Sequence, residues 1–419
     1  MRRETSGIVL MAAFAVLAIP VQMTLGAVVG NSSPAPAALD SAGVRRAYAA
    51  LPVAFEVNRG QVAPSASFVA RGSGYAFLVD PLGATLEFSP GARRGRHGAR
   101  TAAADAPPVD VMRIDLVGAD PHARPTVDAP AGTTGSFTGD PSRWRTAVPD
   151  YARVGFQGVY PGIDVVYHGA GGSLEYDFVV APGADLRAIR LRVGGGRPSL
   201  ASGGEVALAL TGGTVVQHPP TAFQPAASPP AHRRAAAGAG PPRAAPAGTR
   251  HRAAPPGSSP LPVPVGSGYV LGHAGELHIA VGDYDRTRPL VVDPVVSWSP
   301  VVGGGLDDSF VSTVDDGGAV YAVSATPSPD AATGGSAGGD VAVLKLDPAG
   351  RVVYRTVLGG GGDSGPLDVG AEGRGALEIS GMAATPATGP AQVADGPERR
   401  FTTRLDPRGL PVPQTGTSY

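Results

Sequence analysis

Strict alternation of apolar and polar side chains over residues 163–180 constrains the fold of this chain more than any other feature. Ile163, Val165 and Tyr167 fall on one face of an extended segment, while Asp164 and His168 fall on the other. A glycine-rich stretch follows, and the same period then resumes in the sequence LEYDFVV. Two alternating runs joined by such a turn predict a β-hairpin with one buried face.

Further alternation on both sides of the hairpin extends the β pattern. Ile189, Leu191 and Val193 alternate with arginines, which predicts a third strand of the same sheet with one apolar face. Similar short runs, separated by Gly, Pro and Ser, occur between residues 51 and 293. The sequence therefore predicts an all-β protein in which residues 51–293 form an N-terminal β-sandwich-like domain.

Residues 220–264 interrupt this pattern. They contain Pro, Ala, Gly and Arg but no Asp or Glu, and too few large apolar residues to offset the entropy of an ordered chain. Alternation returns afterwards, with Leu277, Ile279 and Val281 on one face. We therefore interpret 220–264 as a long disordered insert within one domain.

The N-terminal residues are typical of an export signal. Two arginines near the start precede an apolar run over residues 8–30. Small residues permit cleavage after Ala27 or Ala37, and the same run is long enough to remain as a membrane anchor. We assign 1–30 to a signal peptide or N-terminal anchor and 31–50 to a linker, which predicts an extracellular or cell-envelope protein. The 419 residues include no cysteine, so thiol catalysis and cysteine-bound zinc are excluded.

Two related copies occupy the C-terminal part. In each copy a glycine run is followed by short strand-like segments and by a Leu-Asp-Pro-x-Gly sequence. A period of this length, built from short strands and Asp/Gly turns, is typical of propeller blades. We predict a blade-like repeat over 294–350 and a degenerate second one over 351–419; two copies are too few to close a ring.

Several segments, in this order, carry a family resemblance: FEVNRGQ, SRWRTAVPDYARVGFQGVYPGIDVVYHG, LEYDFVVAPGAD and YDRTRPLVVDPVVSWSPVVGGGLDDS. They resemble bacterial surface proteins that carry SBBP-type β-propeller repeats behind an uncharacterised N-terminal β domain. The resemblance implies export, an all-β N-terminal domain and blade-like repeats, and it implies no catalytic residue. This chain departs from the pattern in its long insert, its eroded second repeat and its small number of copies.

Candidate chemistry is sparse. Asp164, Glu175 and Asp177 could supply the paired acids of a glycoside hydrolase, although alternation places them on a solvated face. The strings GDSGP and GGSAG resemble serine-nucleophile motifs but lack the required histidine or strand–helix context. Carboxylates that could bind calcium, or simply set Asp/Gly turns, are Asp307, Asp308, Asp315, Asp316 and Asp363.

Charge and aromatic content bear on partners. With a formal net charge of −1 and two arginine-rich loops without interleaved aromatic residues, the sequence predicts no nucleic-acid partner. Trp144, flanked by arginines, could bind a sugar or could anchor the start of a strand. No cofactor is indicated.

The leading hypothesis is an exported, non-enzymatic structural or interaction protein whose surface or envelope partner is a protein or a glycan. A secreted hydrolase acting on polysaccharide or peptide and a calcium-dependent binding module remain as alternatives.

Overall fold

The computed structural model describes the C-terminal seven-eighths of the chain in segments, all belonging to one compact unit over Ala38–Tyr419. The described residues are 51–72, 74–88, 110–138, 141–169, 173–196, 198–210, 213–226, 261–272, 276–299, 310–314, 317–329, 336–359, 364–372, 375–383, 392–393 and 400–412. The predicted signal peptide, the linker and both arginine-rich loops lie outside these residues.

The described chain is all-β, as the sequence predicts. The strands of the first half are β1 Phe55–Val57, β2 Phe68–Gly72, β3 Tyr75–Asp80, β4 Gly83–Phe88, β5 Asp110–Leu116, β6 Arg124–Val127, β7 Gly132–Thr138, β8 Arg145–Tyr151, β9 Val154–Tyr160, β10 Ile163–His168, β11 Ser173–Val180, β12 Arg190–Gly194, β13 Pro198–Leu200, β14 Val206–Leu210 and β15 Gly213–Gln217. Short 3₁₀ turns cover Pro141–Arg143 and Leu186–Ala188.

The remaining strands continue without a described helix between them. They are β16 Thr221–Gln224, β17 Val263–Val265, β18 Ser267–Leu271, β19 Leu277–Val281, β20 Leu290–Asp293, β21 Val295–Ser299, β22 Phe310–Val314, β23 Val320–Pro329, β24 Ser336–Leu346, β25 Val352–Gly359, β26 Ser364–Glu372, β27 Ala376–Ala383, β28 Gln392–Val393 and β29 Arg400–Leu405.

Three sheets collect these strands. Sheet 1 has the order β18-β19-β12-β5-β4-β3-β2-β1-β8-β7-β25-β24-β23-β22. Sheet 2 has the order β13-β14-β15-β21-β11-β10-β9-β6, with β16, β17 and β20 attached beside this path. Sheet 3 has the order β26-β27-β29-β28, and none of the three closes on itself within the described residues.

The predicted hairpin is confirmed as β10 and β11. The two strands pair antiparallel from Ile163 opposite Val180 to His168 opposite Glu175. Tyr167 and Tyr176, which face each other in this register, are each 1% exposed. The apolar face of the alternation is therefore the buried one.

The third predicted strand exists, but its assignment to the same sheet is wrong. Residues 190–194 form β12, which pairs with β5 and β19 in sheet 1. The 3₁₀ turn before it carries the chain from one sheet to the other, with Ile189 fully buried on the way. Arg190 and Arg192 stay on the polar side, where both pair with Glu276.

One hydrophobic cluster is shared by sheets 1 and 2. Phe68 of β2 contacts Phe156 of β9, with ring centroids 5.9 Å apart. Trp298 of β21 packs edge-on against Phe77 of β3 at 5.2 Å and lies close to Tyr75. In each sheet the face turned toward this cluster is called inner below, and the opposite face outer.

The ends of the predicted disordered insert are strands. β16 pairs with β17, Ala222 opposite Val265, and β16 also pairs with β20. Gln224 is 3% exposed and donates to the backbone carbonyls of Asp285 and Pro289, which fixes the end of β16. The predicted boundaries at 220 and 264 are therefore too wide, and residues 227–260 lie outside the described part.

The region of the predicted repeats divides between all three sheets. β21, at the start of the first predicted repeat, pairs with β11 and β15 in sheet 2. Strands β22 to β25 form an antiparallel meander that joins β7 through parallel pairing. A second hydrophobic cluster, including Tyr321, Val343 and Phe401, lies between this meander and sheet 3.

Both copies of the Leu-Asp-Pro-x-Gly sequence make the same turn. Asp347 accepts hydrogen bonds from the backbone N–H groups of residues 349 and 351, and Asp406 accepts them from residues 408 and 410. Gly350 and Gly409 have φ values of 79° and 78°, in the left-handed region that favours glycine. The repeated sequence therefore specifies a repeated local structure.

Among the described residues, no helix has the length and apolar character needed to cross a bilayer.

Candidate functional site

Polar side chains gather on the outer face of sheet 2, where the alternation of β10 and β11 directs them. Five of them form a connected group that we call the outer strip: Arg153, His168, Glu175, Asp177 and Asp293.

His168 is the centre of the outer strip. Its Nδ1 lies 3.3 Å from Glu175 Oε2, and its Nε2 lies 3.0 Å from Asp177 Oδ2. Arg153 Nη2 approaches the same Asp177 oxygen at 3.1 Å. The side chains of His168 and Arg153 are 19% and 27% exposed, so the strip is reachable from solvent.

Asp293 completes the strip from β20. It lies one position beyond the Val292–Phe178 pair and therefore opposite Asp177 across the two strands. Burial raises the pKa of Asp293 above its ordinary value, and the neighbouring negative charges of Asp177 and Glu175 raise it further. Two carboxyl groups placed side by side in this way tend to share one proton.

A second polar group lies on the same face, one strand further along. His218 Nε2 is 2.6 Å from Ser297 Oγ, and His218 Nδ1 is 3.5 Å from Glu205 Oε1. A hydroxyl, an imidazole and a carboxylate in this order are the components of a nucleophile activated by a general base. The His218 and Glu205 side chains are 40% and 47% exposed, so this group is open to solvent.

The FEVNRGQ sequence, by contrast, builds a loop over the outer face of sheet 1. The Asn58 side chain donates to the carbonyls of Ala63 and Ala66 at 2.9 and 2.8 Å and accepts from Gly60 N–H. Gln61 donates to the Val57 carbonyl at 2.9 Å. These bonds shape the loop that covers β2 and β3.

Other polar residues of the family-like sequences hold loops together in the same way. Asp285, in the YDRTRP sequence, accepts from the N–H and the hydroxyl of Thr287. Its backbone N–H donates to Gln224 at 3.0 Å. Arg145, in the SRWR sequence, donates to the carbonyls of Ser142 and Arg59 at 3.3 Å each, which ties two loops together.

The outer face of sheet 1 also carries charged groups, and β23 to β25 fold over them. We call this set the buried charge cluster: Glu56, Arg71, Glu87, Asp150 and Arg355.

Two ion pairs lie within the buried charge cluster. Arg71 Nη1 is 3.0 Å from Glu56 Oε1, and both side chains are nearly inaccessible, at 3% and 4% exposure. Arg355 of β25 reaches Asp150 Oδ2 of β8 at 3.3 Å, and Thr134 donates to the same oxygen at 2.9 Å. Burial, followed by the charge of Glu56, raises the pKa of Asp150 to about 6.

Glu87 is the exceptional member of this cluster. It is 0% exposed, and neither of its carboxylate oxygens has a hydrogen-bond partner among the described residues. Burial raises its pKa to about 7, against a smaller lowering by Arg71. Sequence reasoning missed this residue, because its position gives no sign that β23 will cover it.

The remaining predicted site residues are dispersed. Asp164 shares a strand with His168 but accepts a hydrogen bond from Gly158 N–H at 2.8 Å, which supports the turn between β9 and β10. Trp144 is half-buried and meets Phe137 edge-on at 5.7 Å, next to the start of β8. The five calcium candidates, Asp307, Asp308, Asp315, Asp316 and Asp363, lie outside the described residues.

The described residues of the two serine-containing sequences, GDSGP and GGSAG, lie in β-strands. Ser364 begins β26, and Ser336 begins β24. A nucleophile elbow, which the string around Ser336 would have to form, requires a strand followed by a helix, whereas Ser336 opens a strand of an antiparallel pair. Ser364 likewise opens a strand of an antiparallel pair.

Sequence reasoning proposed Glu175 and Asp177 as site residues and placed His168 on the same face. It missed Arg153 and Asp293 of the outer strip, as well as Glu205, His218 and Ser297. Asp293 and Ser297 reach their partners only through pairing of strands that lie far apart in the chain, β20 with β11 and β21 with β15. The predicted strand alternation indicated which face each residue occupies, but not which strands are neighbours.

Comparison with known proteins finds one family model that matches part of the chain. Residues 55–232 match a domain of unknown function (DUF7948), a region that includes β1 to β16 and covers less than half of the chain. Strands β17 to β21, which contribute Asp293 and Ser297, lie beyond the matched region. No curated protein matches the chain.

Proposed function

We propose that this chain is an exported, non-enzymatic structural or interaction module that presents the outer strip to a protein or glycan partner at the cell surface. In this proposal the shared core of sheets 1 and 2 is a sandwich-like domain, and the strands after β21 are two blade-like units. One observation carries the proposal: the polar residues of the family-like sequences, including Asn58, Gln61 and Asp285, are engaged in hydrogen bonds that shape loops.

A binding scaffold needs polar residues whose hydrogen bonds hold its loops in place. A catalytic group must instead be able to reach a substrate in a productive geometry. Several ionisable groups of the outer strip are reachable from solvent, and their mixture of carboxylates, imidazole and guanidinium suits recognition of hydroxyl-rich or charged polymers.

Export is tested by fractionating cells that express the full chain, with a cytosolic marker protein as control. We expect the mature protein in the envelope or medium, and its mass should correspond to cleavage after Ala27 or Ala37 or to a retained anchor. Recovery in the cytosol with residues 1–30 intact would contradict the proposal.

Partner binding is tested by sedimentation with purified peptidoglycan sacculi and envelope polysaccharide. A triple variant of the outer strip, Arg153→Ala, His168→Ala and Asp177→Asn, should bind about tenfold more weakly, a loss of roughly 1.4 kcal/mol. The matched control replaces the same kinds of side chain at the far end of sheet 1. Its changes are Arg192→Ala, His278→Ala and Glu276→Gln. Equal binding by both triple variants would remove the outer strip from the proposal.

A secreted hydrolase is the second candidate, because Ser297, His218 and Glu205 stand in the order of nucleophile, base and orienting acid. The test is covalent labelling by a fluorophosphonate probe, followed by mass mapping of the labelled residue. Labelling that Ser297→Ala abolishes would support a hydrolase. Ser199→Ala is the control, since that exposed serine also lies on sheet 2. If the probe does not label the wild-type protein, that result would count against the hydrolase.

A further inference from the structure

The buried charge cluster lies where the meander β22–β25 covers the N-terminal strands of sheet 1. β23 contacts β2, β3 and β4, and its Thr326 donates to the Tyr75 carbonyl at 3.1 Å. Gly74 N–H donates to the Ala325 carbonyl at 3.0 Å. The interface is thus held by a few hydrogen bonds, by apolar contacts and by the charges enclosed between its two sides.

Those charges do not balance when every carboxyl group is ionised. Three carboxyl groups, on Glu56, Glu87 and Asp150, face two guanidinium groups, on Arg71 and Arg355. Glu56 and Asp150 stand directly opposite each other across β1 and β8. Like charges in that position repel, and burial removes the water that would screen them.

The cluster also has polar atoms without partners. Both oxygens of Glu87, Oδ1 of Asp150 and Nε of Arg71 are buried and make no hydrogen bond within the described residues. A cavity of about 60 Å³ adjoins Arg71, and its lining also includes Glu56, Thr134 and Arg355. That volume has room for water at the cluster, but it does not supply the missing positive charge.

The strands that cover the cluster supply no further cation on this face among the described residues. β23 turns Ser324 and Thr326 toward the buried charge cluster, on the same face of the strand as Ala322. β24 carries the buried Asp340, a further acid. Lys345 lies on the opposite face of β24, with its Nζ 4.8 Å from the ring centroid of Tyr321, a member of the second hydrophobic cluster. Arg113 of β5 lies on the same outer face, two positions from the residue opposite Glu87, and pairs with Asp80 and Asp115. Arg71 and Arg355 are therefore the two described cations that form ion pairs within the cluster.

We propose that the buried charge cluster is a pH-sensitive clamp: with one carboxyl group protonated it holds the β22–β25 meander against β1–β4, and loss of that proton releases the meander. The proton belongs to Glu87, which has no cation of its own. The raised pKa values of Glu87, about 7, and of Asp150, about 6, agree with this assignment.

The direction of the pH effect follows from linkage. Because the pKa of Glu87 in the folded protein lies above its ordinary value of 4.5, the folded state keeps a proton that the unfolded chain has lost between pH 4.5 and about 7. The stabilising effect is complete below pH 4.5 and disappears as the pH rises through about 7. The clamp therefore closes in acid and loosens above neutral pH.

The test is hydrogen exchange of the full chain at pH about 5 and about 8.5, expressed as protection factors so that the intrinsic pH dependence is removed. We expect protection in β24 and β25 to fall about tenfold more than protection in β10 and β11, which belong to sheet 2. Equal losses in the two regions, or no loss in β24 and β25, would overturn the clamp.

Two substitutions refine this test. Glu87→Gln should keep β24 and β25 protected at the higher pH, whereas the matched exposed change Glu378→Gln should behave as wild type. Arg355→Gln should release the meander at lower pH, because Asp150 then loses its cation. If Glu87→Gln loses protection with pH as the wild type does, the proton does not reside on Glu87 and the proposal fails. Should that variant not fold, the wild-type comparison of the two strand pairs still decides.

Discussion

The outer strip and the buried charge cluster contain nearly the same chemical groups in two different settings. Each lies on the outer face of a sheet, and each combines carboxylates with arginine. In the cluster, the Arg71 and Glu56 side chains are 3% and 4% exposed, because β23 to β25 cover them. In the outer strip, Arg153 and His168 are 27% and 19% exposed. Whether other strands cover a charged group therefore matters more than which residue carries the charge. A covered group affects stability, and an uncovered one remains available to a partner.

The largest effect should come from separating the most deeply buried ion pair. Arg71→Met leaves the Glu56 carboxylate buried without its cation, which typically costs about 3–5 kcal/mol. The free energy of unfolding, from urea titration, should fall by that amount. Arg351→Met is the matched control, because Arg351 is 81% exposed and its pair with Asp347 should contribute less than about 1 kcal/mol. Similar losses in both variants would mean that burial does not distinguish the two pairs.

A smaller effect is expected at Asn58, which organises the loop over β2 and β3. Asn58→Ala removes a side chain that donates to two carbonyls and accepts from Gly60 N–H, and it leaves those backbone groups without partners. We expect a loss of about 1–3 kcal/mol. Gln157→Ala, which removes an exposed hydrogen bond from Arg124, should change stability by less than about 0.5 kcal/mol. A loss at Asn58 no larger than this control would show that the loop is held by its apolar contacts alone.

The alternation of apolar and polar residues was enough to predict several of the strands. It predicted β10, β11, β12 and β19, because a half-buried strand must alternate. It could not show that β12 crosses to sheet 1, since the 3₁₀ turn before it redirects the chain without changing the alternation. The same limit applies to the charged groups of the outer strip. Alternation placed His168 and Asp177 on the outer face, whereas Asp293 reaches them only through the long-range pairing of β20 with β11.

The C-terminal region shows what a local repeat can and cannot specify. The Leu-Asp-Pro-x-Gly sequence correctly marks a turn in both copies, because Asp and Gly act on neighbouring backbone groups. The parallel pairing of β25 with β7 has no such local signal, since the two strands are separated by more than half of the chain. The same pairing is what brings Arg355 to Asp150.

A modest pH effect is expected in the outer strip. The pKa of Asp293 is raised in the folded protein, so the folded state holds extra proton above pH 3.8 and loses stability as the pH rises. Asp293→Asn removes this loss and should raise the free energy of unfolding near neutral pH by no more than about 1 kcal/mol. Thermal unfolding at a series of pH values from acid to neutral measures this change in stability, with the exposed Asp283→Asn as control. A variant that is less stable than wild type at neutral pH would show that the ionised Asp293 is held by a favourable contact instead.

The smallest effect should come from Arg153, and it bears directly on the comparison. Arg153 and Arg355 each contact one aspartate, at 3.1 and 3.3 Å, so the two pairs have similar geometry. Asp177 is 12% exposed, however, whereas Asp150 is fully buried. Arg153→Ala should therefore cost less than about 1 kcal/mol, and added salt should remove most of that cost because exposed charges are screened. If the loss were instead large and insensitive to salt, the outer strip would be part of the structural framework. Its solvent-facing charges would then serve the fold, and the partner surface would have to be sought on another face of the protein.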